Sequence, residues 1–391
     1  MMASFNNATP PAYDIVISEE TLGNILKYKS DLAAGTALPG ARLKQALDAG
    51  DRSTTEGFIQ ALLSTKQPLI FAESEIRCDG TDWTHRELGL LGDINITMNA
   101  KAFDNGVWKP TDKAFATHTP PLDVQLMFTP GALLGVGPDF KGQSPDHDEV
   151  VVNGRIDQDK YDALVERRLL PLLAHANANA KAEGKNAVIT LPGLGCGAFA
   201  GDFRGQMGAH LNTALQALLK EHAGKFEHIS MVYFDPFGEC GNIKKDYGDV
   251  SYRVRPALMN GYKSQLLAPG GYAEKGDDFS GAKLYKIVAW DHASYPGNDF
   301  FGNSRSTDDG VSAAATNSME VITGLRGNYA GGQYNPPAGY DSWEDVVDRN
   351  GIRLVARNNV KVVTRNADYM DLAAFENSAT ATPTAPRAAF K

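Results

Sequence analysis

The sequence predicts an α/β fold in which helices cover both faces of a mixed or mostly parallel sheet. The clearest signal is a strand–helix–strand unit. NAVITLP (186–192) and HISMVYF (228–234) have the composition and length of buried strands, and a helical pattern at 204–221 separates them. A third run of strand length is KLYKIVAW (283–290). Strands that alternate with helices favour parallel pairing with right-handed crossovers, because each helix returns across a face of the sheet.

The segments around this unit contribute further helices and strands. Helices are expected within 20–65 and at 160–183, where Pro171 should introduce a kink. The other expected strands are PLIFAES (68–74), LGDINITMNA (91–100), VQLMFTP (124–130), IRLVA (352–356) and NNVKVVTR (358–365). Residues 1–14 are expected to form a loose arm, and 141–158 an exposed acidic loop. The predicted organisation is a mostly helical N-terminal extension at 1–120, a core at 121–370 and a disordered tail at 371–391.

Composition and charge argue against several classes of protein. The chain has 391 residues and a net charge of −9. No apolar run approaches the ~20 residues of a membrane helix, and the start lacks the pattern of a classical signal peptide. Three well-separated cysteines favour a reducing compartment over a disulfide framework, and they lack the spacing of a structural zinc site. The acidic balance argues against a broad nucleic-acid groove, which needs clustered Lys and Arg.

A glycine-rich loop follows the 186–192 strand. Gly193, Gly195, Gly197 and Gly201 occupy four of nine positions between this strand and the next helix, expected to start near Arg204. Glycines let successive N–H groups face one concavity, and a helix start adds its positive dipole end, so the loop could hold a diphosphate. Neither the P-loop nor the dinucleotide fingerprint is present. The alternative is a tight structural turn without a ligand.

A second loop, after the 283–290 strand, is rich in acids. It contains Asp291, Asp299, Asp308 and Asp309. Ligands of open α/β sheets bind at the carboxyl ends of the strands, and carboxylates that converge there raise one another's pKa. Such a group could activate water and stabilise positive charge on a ribose. The alternatives are a solvated acidic loop and a divalent-cation site.

The glycine loop and its surroundings resemble a known family. LPGLGCGAFAGDFRGQMGAHLNTALQALL, followed by HISMVYFDPF, resembles the phosphate loop, helix and last strand of macrodomains, and GCGAFAGD looks like the loop of poly(ADP-ribose) glycohydrolases. In that family the loop wraps the diphosphate of ADP-ribose, and an aromatic residue after the next strand lies against the nucleoside. The resemblance implies a macrodomain-like mixed sheet. The positions it assigns to the ligand are Gly193, Gly195, Cys196, Gly197, Ala198, Phe199 and Phe237. For Phe237, ordinary packing is the alternative.

The acidic loop resembles the ribose-binding unit of macrodomains with two departures. Asp308-Asp309-Gly310-Val311 stands where a triple glycine and valine would open the helix, and the unit follows the phosphate loop instead of preceding it. The order of the loops is therefore permuted. The Gln-Glu-Glu signature of the glycohydrolases is also absent, which argues against cleavage of the polymer.

The two loops together resemble MavL-type effector ADP-ribosylhydrolases of intracellular bacterial pathogens. That resemblance implies removal of mono-ADP-ribose from arginine on host ubiquitin, with Asp291, Asp299 and Asp309 as the catalytic residues. Asp299 and Asp309 would activate water and orient the ribose, with Asp291 in support. It further implies a cytosolic protein, secreted without a Sec signal into host cytosol, whose partners are ADP-ribose and a modified protein. No cofactor and no metal are expected, although Mg²⁺ beside the acids stays open.

Two other functions remain open from the sequence. A non-catalytic ADP-ribose reader would use the same phosphate loop, but it would gain little from crowded acids near the ribose. An unrelated nucleotide-binding enzyme would use the loop for another diphosphate.

Three further features have alternative interpretations. Cys196 could be activated by a helix start, but no partner for a nucleophilic role is evident. His292 is expected to be a loop or surface residue. The turn GALLGVGPDF (131–140) is either another wall of the pocket or an ordinary loop.

Overall fold

The computed structural model describes residues 11–50, 53–70, 76–135, 144–301 and 305–381. Its strands are β1 (Tyr13–Ser18), β2 (Asn95–Lys109), β3 (Ala114–Pro130), β4 (Val151–Val152), β5 (Arg155–Ile156), β6 (Asn186–Pro192), β7 (Ile229–Asp235), β8 (Ile243–Tyr247), β9 (Val250–Val254), β10 (Ala282–Trp290), β11 (Asn328–Ala330), β12 (Gln333–Asn335), β13 (Val360–Val363) and β14 (Tyr369–Asp371). Ten of these strands form one sheet in the order β14-β13-β1-β2-β3-β10-β6-β7-β9-β8. The predicted mixed α/β architecture is therefore confirmed.

Five neighbouring strands of this sheet run in the same direction. β3 pairs in parallel with β10, β10 with β6, β6 with β7, and β7 with β9. Their carboxyl ends therefore meet at one edge of the sheet, where the loops that follow β3, β6, β7 and β10 come together. Antiparallel pairs involve β2, β8 and β14.

Helices lie on both faces of the sheet. They are α1 (Glu19–Ala33), α2 (Ala41–Ala49), α3 (Thr55–Leu63), α4 (His85–Gly92), α5 (Pro145–Val150), α6 (Gln158–Ala182), α7 (Met207–His222), α8 (Ala257–Asn260), α9 (Asn298–Phe301), α10 (Asp308–Ala315), α11 (Ser318–Thr323), α12 (Trp343–Asn350) and α13 (Leu372–Ala381). Alternate residues of a strand point to opposite faces, so Val188 joins one apolar core and Ile189 the other. The first core includes α1, α3 and α4, and the second includes α6 and α7. No helix in the described ranges combines the length and apolar character needed to cross a bilayer.

Most of the predicted elements are present, and several boundaries differ. The strands expected within 91–100, 124–130, 186–192, 228–234, 283–290 and 358–365 are all confirmed. The helix across Pro171 is also confirmed and continues from Gln158 to Ala182. IRLVA is not a strand; instead its backbone amides and carbonyls bond to side chains such as Gln60. In PLIFAES, Pro68–Ile70 is not a strand, and the remainder lies outside the described residues.

The two ends of the described chain are more ordered than the sequence predicts. Tyr13 and Asp14, assigned to a loose arm, belong to β1, which inserts between β2 and β13 because Ile15 and Ile17 are fully buried. The predicted disordered tail at 371–391 begins instead with the end of β14 and with α13, whose Leu372 packs into the first core, while residues 382–391 lie outside the described ranges. The N-terminal range 1–120 supplies α1–α4 and also shares the central sheet through β1, β2 and the start of β3.

Candidate functional site

A cavity of about 310 Å³ opens at the shared carboxyl edge of the parallel strands. This volume is in the range of small-molecule sites. Its walls come from the loops after β3, β6 and β10 and from the first turn of α10. The lining residues are Ile70, Gly131, Gly193, Gly195, Gly197, Ala198, Phe199, Ala289, Trp290, Asp291, Asn298, Asp299, Thr307 and Asp309. The cavity thus brings together the glycine loop and the three predicted aspartates, which are about a hundred residues apart in sequence.

One side of the cavity is made by two glycine-containing loops in backbone contact. A Cβ on Gly131, after β3, would lie 2.1 Å from the backbone nitrogen of Gly195, and one on Gly135 would lie 2.7 Å from the Cα of Gly201. Gly195 has a φ of 71°, in the left-handed region that favours glycine. The amides of Leu134 and Gly135 donate to the Phe199 carbonyl at 2.7 and 2.8 Å. The described part of GALLGVGPDF therefore forms a wall of the cavity through Gly131, while residues 136–140 lie outside the described ranges.

The glycine loop presents backbone amides that the described protein leaves without acceptors. Cys196 N donates to Gly193 O at 3.1 Å, and Ala200 N to Gly197 O at 3.2 Å. Among the described residues, no acceptor is present for the amides of Gly195, Gly197, Ala198 or Phe199. A concavity lined by such donors suits an anion.

The helix after the loop starts later than predicted. A 3₁₀ turn at Ala198–Phe203 intervenes, and α7 begins at Met207 instead of near Arg204. At the start of α7 the Gly208 amide donates to the Glu239 carboxylate at 2.6 Å. The anion-binding character of the loop therefore comes from its own amides, since the amino end of α7 is occupied by Glu239.

Asp309 and Asp299 form the acidic centre of the cavity. Asp309 lies in the first turn of α10, where its two carboxylate oxygens accept from the amides of Gly297 (2.9 Å) and Asp299 (3.2 Å). Burial raises the pKa of Asp309 well above its ordinary value, and the neighbouring charges of Asp299 and Asp291 add to this rise. The Asp299 carboxylate accepts no hydrogen bond from the described residues. The pair therefore combines a carboxyl group that tends to hold its proton with one that is open to a ligand or water.

Asp291 is held more tightly than the other two. One oxygen accepts from the amides of Ala293 and Ser294, both at 2.8 Å, and the other from the Ser294 hydroxyl and from Asn298 Nδ2 at 3.3 Å. Burial raises the pKa of Asp291, while these hydrogen bonds and the charge of Lys66 oppose the rise. This carboxylate shapes the loop and contributes charge to the cavity.

Asp308, the fourth acid of the loop, has a structural partner. Its carboxylate pairs with the ammonium of Lys286, on β10, and accepts from the Ala289 amide at 3.0 Å. The Lys286 side chain is only 1% exposed, so this pair anchors the start of α10 to the sheet. Asp308 does not line the main cavity.

Two residues behind the acids were missed from the sequence. The ammonium of Lys66 donates to the carbonyl of His292 at 2.6 Å and lies 4.0 Å from the centre of the Trp290 ring. Burial lowers the pKa of Lys66 to about 7, although the charge of Asp291 opposes the change. Asn298 joins the same segment to the loop, because its side chain exchanges two hydrogen bonds with the backbone of Ile70, at 2.7 and 2.9 Å. Lys66 belongs to no local motif, whereas Asn298 directly precedes Asp299 in the acidic loop, where only the aspartates were predicted as site residues.

His292 lies in the loop after β10, as one of the two expectations had it, but it is not a surface residue. Its side chain is fully buried, and its Nε2 lies 3.0 Å from Asp146, which in turn forms an ion pair with Arg168 at 2.6 Å. Burial alone would raise the pKa of Asp146, but the charge of Arg168 and the contact with His292 lower it below its ordinary value. Asp146 lies in α5, within the predicted exposed loop at 141–158, and is buried because it receives these partners and the Leu133 amide at 2.8 Å. The network links the loops after β3 and β10.

Cys196 and Phe237 do not line the main cavity. The Cys196 thiol donates to Leu194 O at 3.7 Å, and burial raises its pKa, which argues against a nucleophilic thiolate. Phe237 is 64% exposed and lines an adjoining cavity of about 220 Å³, which shares Gly193 and Thr307 with the main one. An aromatic face therefore stands beside the glycine loop, outside the acidic centre.

The one described group of residues with metal-ligand spacing lies elsewhere. Glu166, Glu221 and His222 could place three ligand atoms together on α6 and α7. None of them lines the cavity, and His222 Nε2 is already 3.0 Å from Glu166.

Comparison with known proteins agrees with this architecture. Residues 13–340, most of the chain, match a family model described as the macrodomain effector MavL. A search among curated proteins found no match. The match agrees with the glycine loop and the acids at the carboxyl edge of a mixed sheet. The chain belongs to the MavL family of macrodomain effectors.

Proposed function

We propose that the protein is an ADP-ribosylhydrolase that removes mono-ADP-ribose from arginine on host ubiquitin. The observation that carries the proposal is that one cavity contains both the amides of the glycine loop and three aspartates, Asp291, Asp299 and Asp309. An ADP-ribose reader would need the first feature, whereas hydrolysis also needs the second.

The diphosphate would lie against the glycine loop. The free amides of Gly195, Gly197, Ala198 and Phe199 supply donors for phosphate oxygens without a lysine or arginine. Phe237 stands in the adjoining cavity and would contact the nucleoside, while the other end of the ligand would place its ribose near the acids. In this orientation the bond to be cleaved, between the ribose and arginine, would lie beside Asp299 and Asp309.

The chemistry suits a cationic leaving group. No lysine or arginine is among the described residues that line the cavity, so a guanidinium linked to the ribose meets carboxylates only. Asp299 takes a proton from water, the water oxygen attacks C1 of the ribose, and the bond from C1 to nitrogen breaks. The linked guanidinium already carries a proton and leaves as neutral guanidine. Asp309 orients the ribose, and Asp291 adds negative charge that stabilises the oxocarbenium-like transition state.

The cellular setting is part of the proposal. Membership in an effector family supports a protein that is secreted and acts inside a host cell. A host cytosol is reducing, which fits three unpaired cysteines, Cys78, Cys196 and Cys240. The modified ubiquitin would then be the protein substrate, with ADP-ribose and unmodified ubiquitin as products.

Release of free ADP-ribose from arginine-ADP-ribosylated ubiquitin tests the proposal. The wild-type protein should release it catalytically, with many turnovers for each enzyme molecule. Asp278→Ala, which removes an exposed acid outside the cavity, provides a matched control and should keep full activity. A wild type that binds ADP-ribose but releases none would replace the hydrolase with a reader.

A further inference from the structure

A second cavity lies behind the acidic one and is larger. Its volume is about 490 Å³, and it is formed by α2, α3, the segment after α3 and the region around α12. The residues that line it are Arg42, Gln45, Ala46, Ala49, Gly50, Gly57, Gln60, Ala61, Ser64, Thr65, Lys66, Gln67, Pro68, Tyr295, Asp348 and Arg353. None of these residues belongs to the acidic cavity.

The lining of this cavity is positively charged, although the chain as a whole carries −9. Three basic residues, Arg42, Lys66 and Arg353, and one acid, Asp348, are among the lining residues. Arg42 is ion-paired with Asp82 at 3.0 Å and lies 4.7 Å from the centre of the Trp83 ring, so its guanidinium is fixed at the rim.

The other two cations lack carboxylate partners. The Lys66 ammonium donates to the His292 carbonyl, and the Arg353 guanidinium donates to the Ile352 carbonyl at 2.8 Å. Within the described ranges, neither has a carboxylate oxygen within 4.0 Å. Lys66 is only 1% exposed, and the carboxylate whose charge acts on its ammonium is that of Asp291, outside this cavity. Arg353 is exposed and has no carboxylate partner among the described residues, so an anion in the cavity would supply one.

From this arrangement we infer that the second cavity is a binding site for a small oxyanion-bearing molecule, whose phosphate or carboxylate groups pair with Arg42 and Arg353 in the field of Lys66. Guanidinium groups bind both kinds of oxyanion in a bidentate manner. Gln45, an exposed side chain on α2, provides a further donor at the rim.

The site is physically connected to the acidic cavity. The Gln67 amide donates to the Ala293 carbonyl at 2.8 Å, and the Tyr295 amide donates to the Gln67 carbonyl at 2.7 Å. Lys66 and Gln67 line the second cavity, and Ala293 and Tyr295, which bond to Gln67, belong to the loop that contains Asp291. A ligand in the second cavity would therefore contact residues that are hydrogen-bonded to the loop of Asp291.

Calorimetric titration of the full chain with pyrophosphate and with citrate tests the inference, and it uses no ADP-ribose. Binding of either probe should weaken about three- to tenfold in Arg353→Gln and strengthen about threefold in Asp348→Asn, as expected for single charges in a solvent-open site. Both residues are exposed, so the variants should fold. Arg349→Gln, an exposed residue of α12 paired with Asp345, is the matched control and should bind like wild type.

The two probes also identify the source of the oxyanion. Tighter binding of pyrophosphate would support a phosphate ligand, and tighter binding of citrate a polycarboxylate. The inference fails if neither probe binds at millimolar concentration. It fails equally if binding is unchanged in both Arg353→Gln and Asp348→Asn, because the anion would then occupy the glycine loop.

Discussion

Replacement of Gly131 by alanine should separate the two glycine-containing loops. The backbone φ of Gly131 is negative, so alanine can adopt the same backbone conformation. The destabilisation therefore comes only from the contacts of the added Cβ. The added Cβ would lie 2.1 Å from Gly195 N and 2.6 Å from Gly195 Cα, about 0.9 Å inside the 3.0 Å limit of real Cβ contacts. Since both opposing atoms belong to the backbone, no side chain can rotate to relieve the clash.

The expected cost is a loss of about 3 kcal/mol in the free energy of unfolding, the upper end of the range for overpacking. The same substitution at Gly23 is the matched control. A Cβ at Gly23, an exposed position inside α1, would meet no atom within 4 Å. Gly23→Ala should therefore stabilise the protein by about 0.5–1 kcal/mol through helix propensity.

Urea unfolding of both variants measures these differences, and calorimetric titration with ADP-ribose measures the effect on the site. Gly131→Ala should weaken ADP-ribose binding at least about tenfold, equivalent to about 1.4 kcal/mol, because Gly131 and Gly195 both line the cavity. A Gly131→Ala protein with wild-type stability and wild-type affinity would refute the backbone contact between the loops.

Three further outcomes are expected. Asp308→Asn should cost about 3 kcal/mol in urea unfolding, because it leaves the buried Lys286 ammonium without its carboxylate. In NMR spectra of the lysine ε-carbons, Lys66 should titrate near pH 7, and a midpoint near pH 10 would contradict the burial of its ammonium. Because the pKa of Lys66 is lower in the folded protein than in the unfolded chain, its contribution to the free energy of unfolding is greatest above the ordinary lysine pKa. That contribution is lost as pH falls through about 7. Arg168→Met should cost about 3–5 kcal/mol by leaving Asp146 buried without its cation, and a stable variant would argue against the network.

The strongest local patterns in the sequence correspond to the structure most closely. The strands before Gly193 and Asp291 are mostly apolar, because both of their faces are buried, and parallel pairing brings their following loops to one edge. The sequence therefore predicted that the glycine loop and the acids lie in loops at strand ends, and the structure brings them into one cavity. Their roles in binding and catalysis remain predictions.

The features that were missed depend on contacts distant in sequence. Lys66 reaches the acidic loop across more than two hundred residues, and nothing near it in sequence indicates that it is buried. His292 and Asp146 looked like surface residues because they lie in polar segments, but Arg168 neutralises the pair inside the fold. β1 was missed because it is only six residues long and is stabilised by β2 and β13 from distant parts of the chain.

The proposed role of Asp299 as the general base requires that its loss slows turnover without loss of ADP-ribose binding. We would measure ADP-ribose affinity and the single-turnover rate of release from arginine-ADP-ribosylated ubiquitin for wild type and for Asp299→Asn. The single-turnover rate should be at least about a hundredfold lower in the variant, as for loss of a general base, and the affinity should stay within about threefold of wild type. Asp299→Asn that releases ADP-ribose at the wild-type rate would contradict the assignment of this carboxylate.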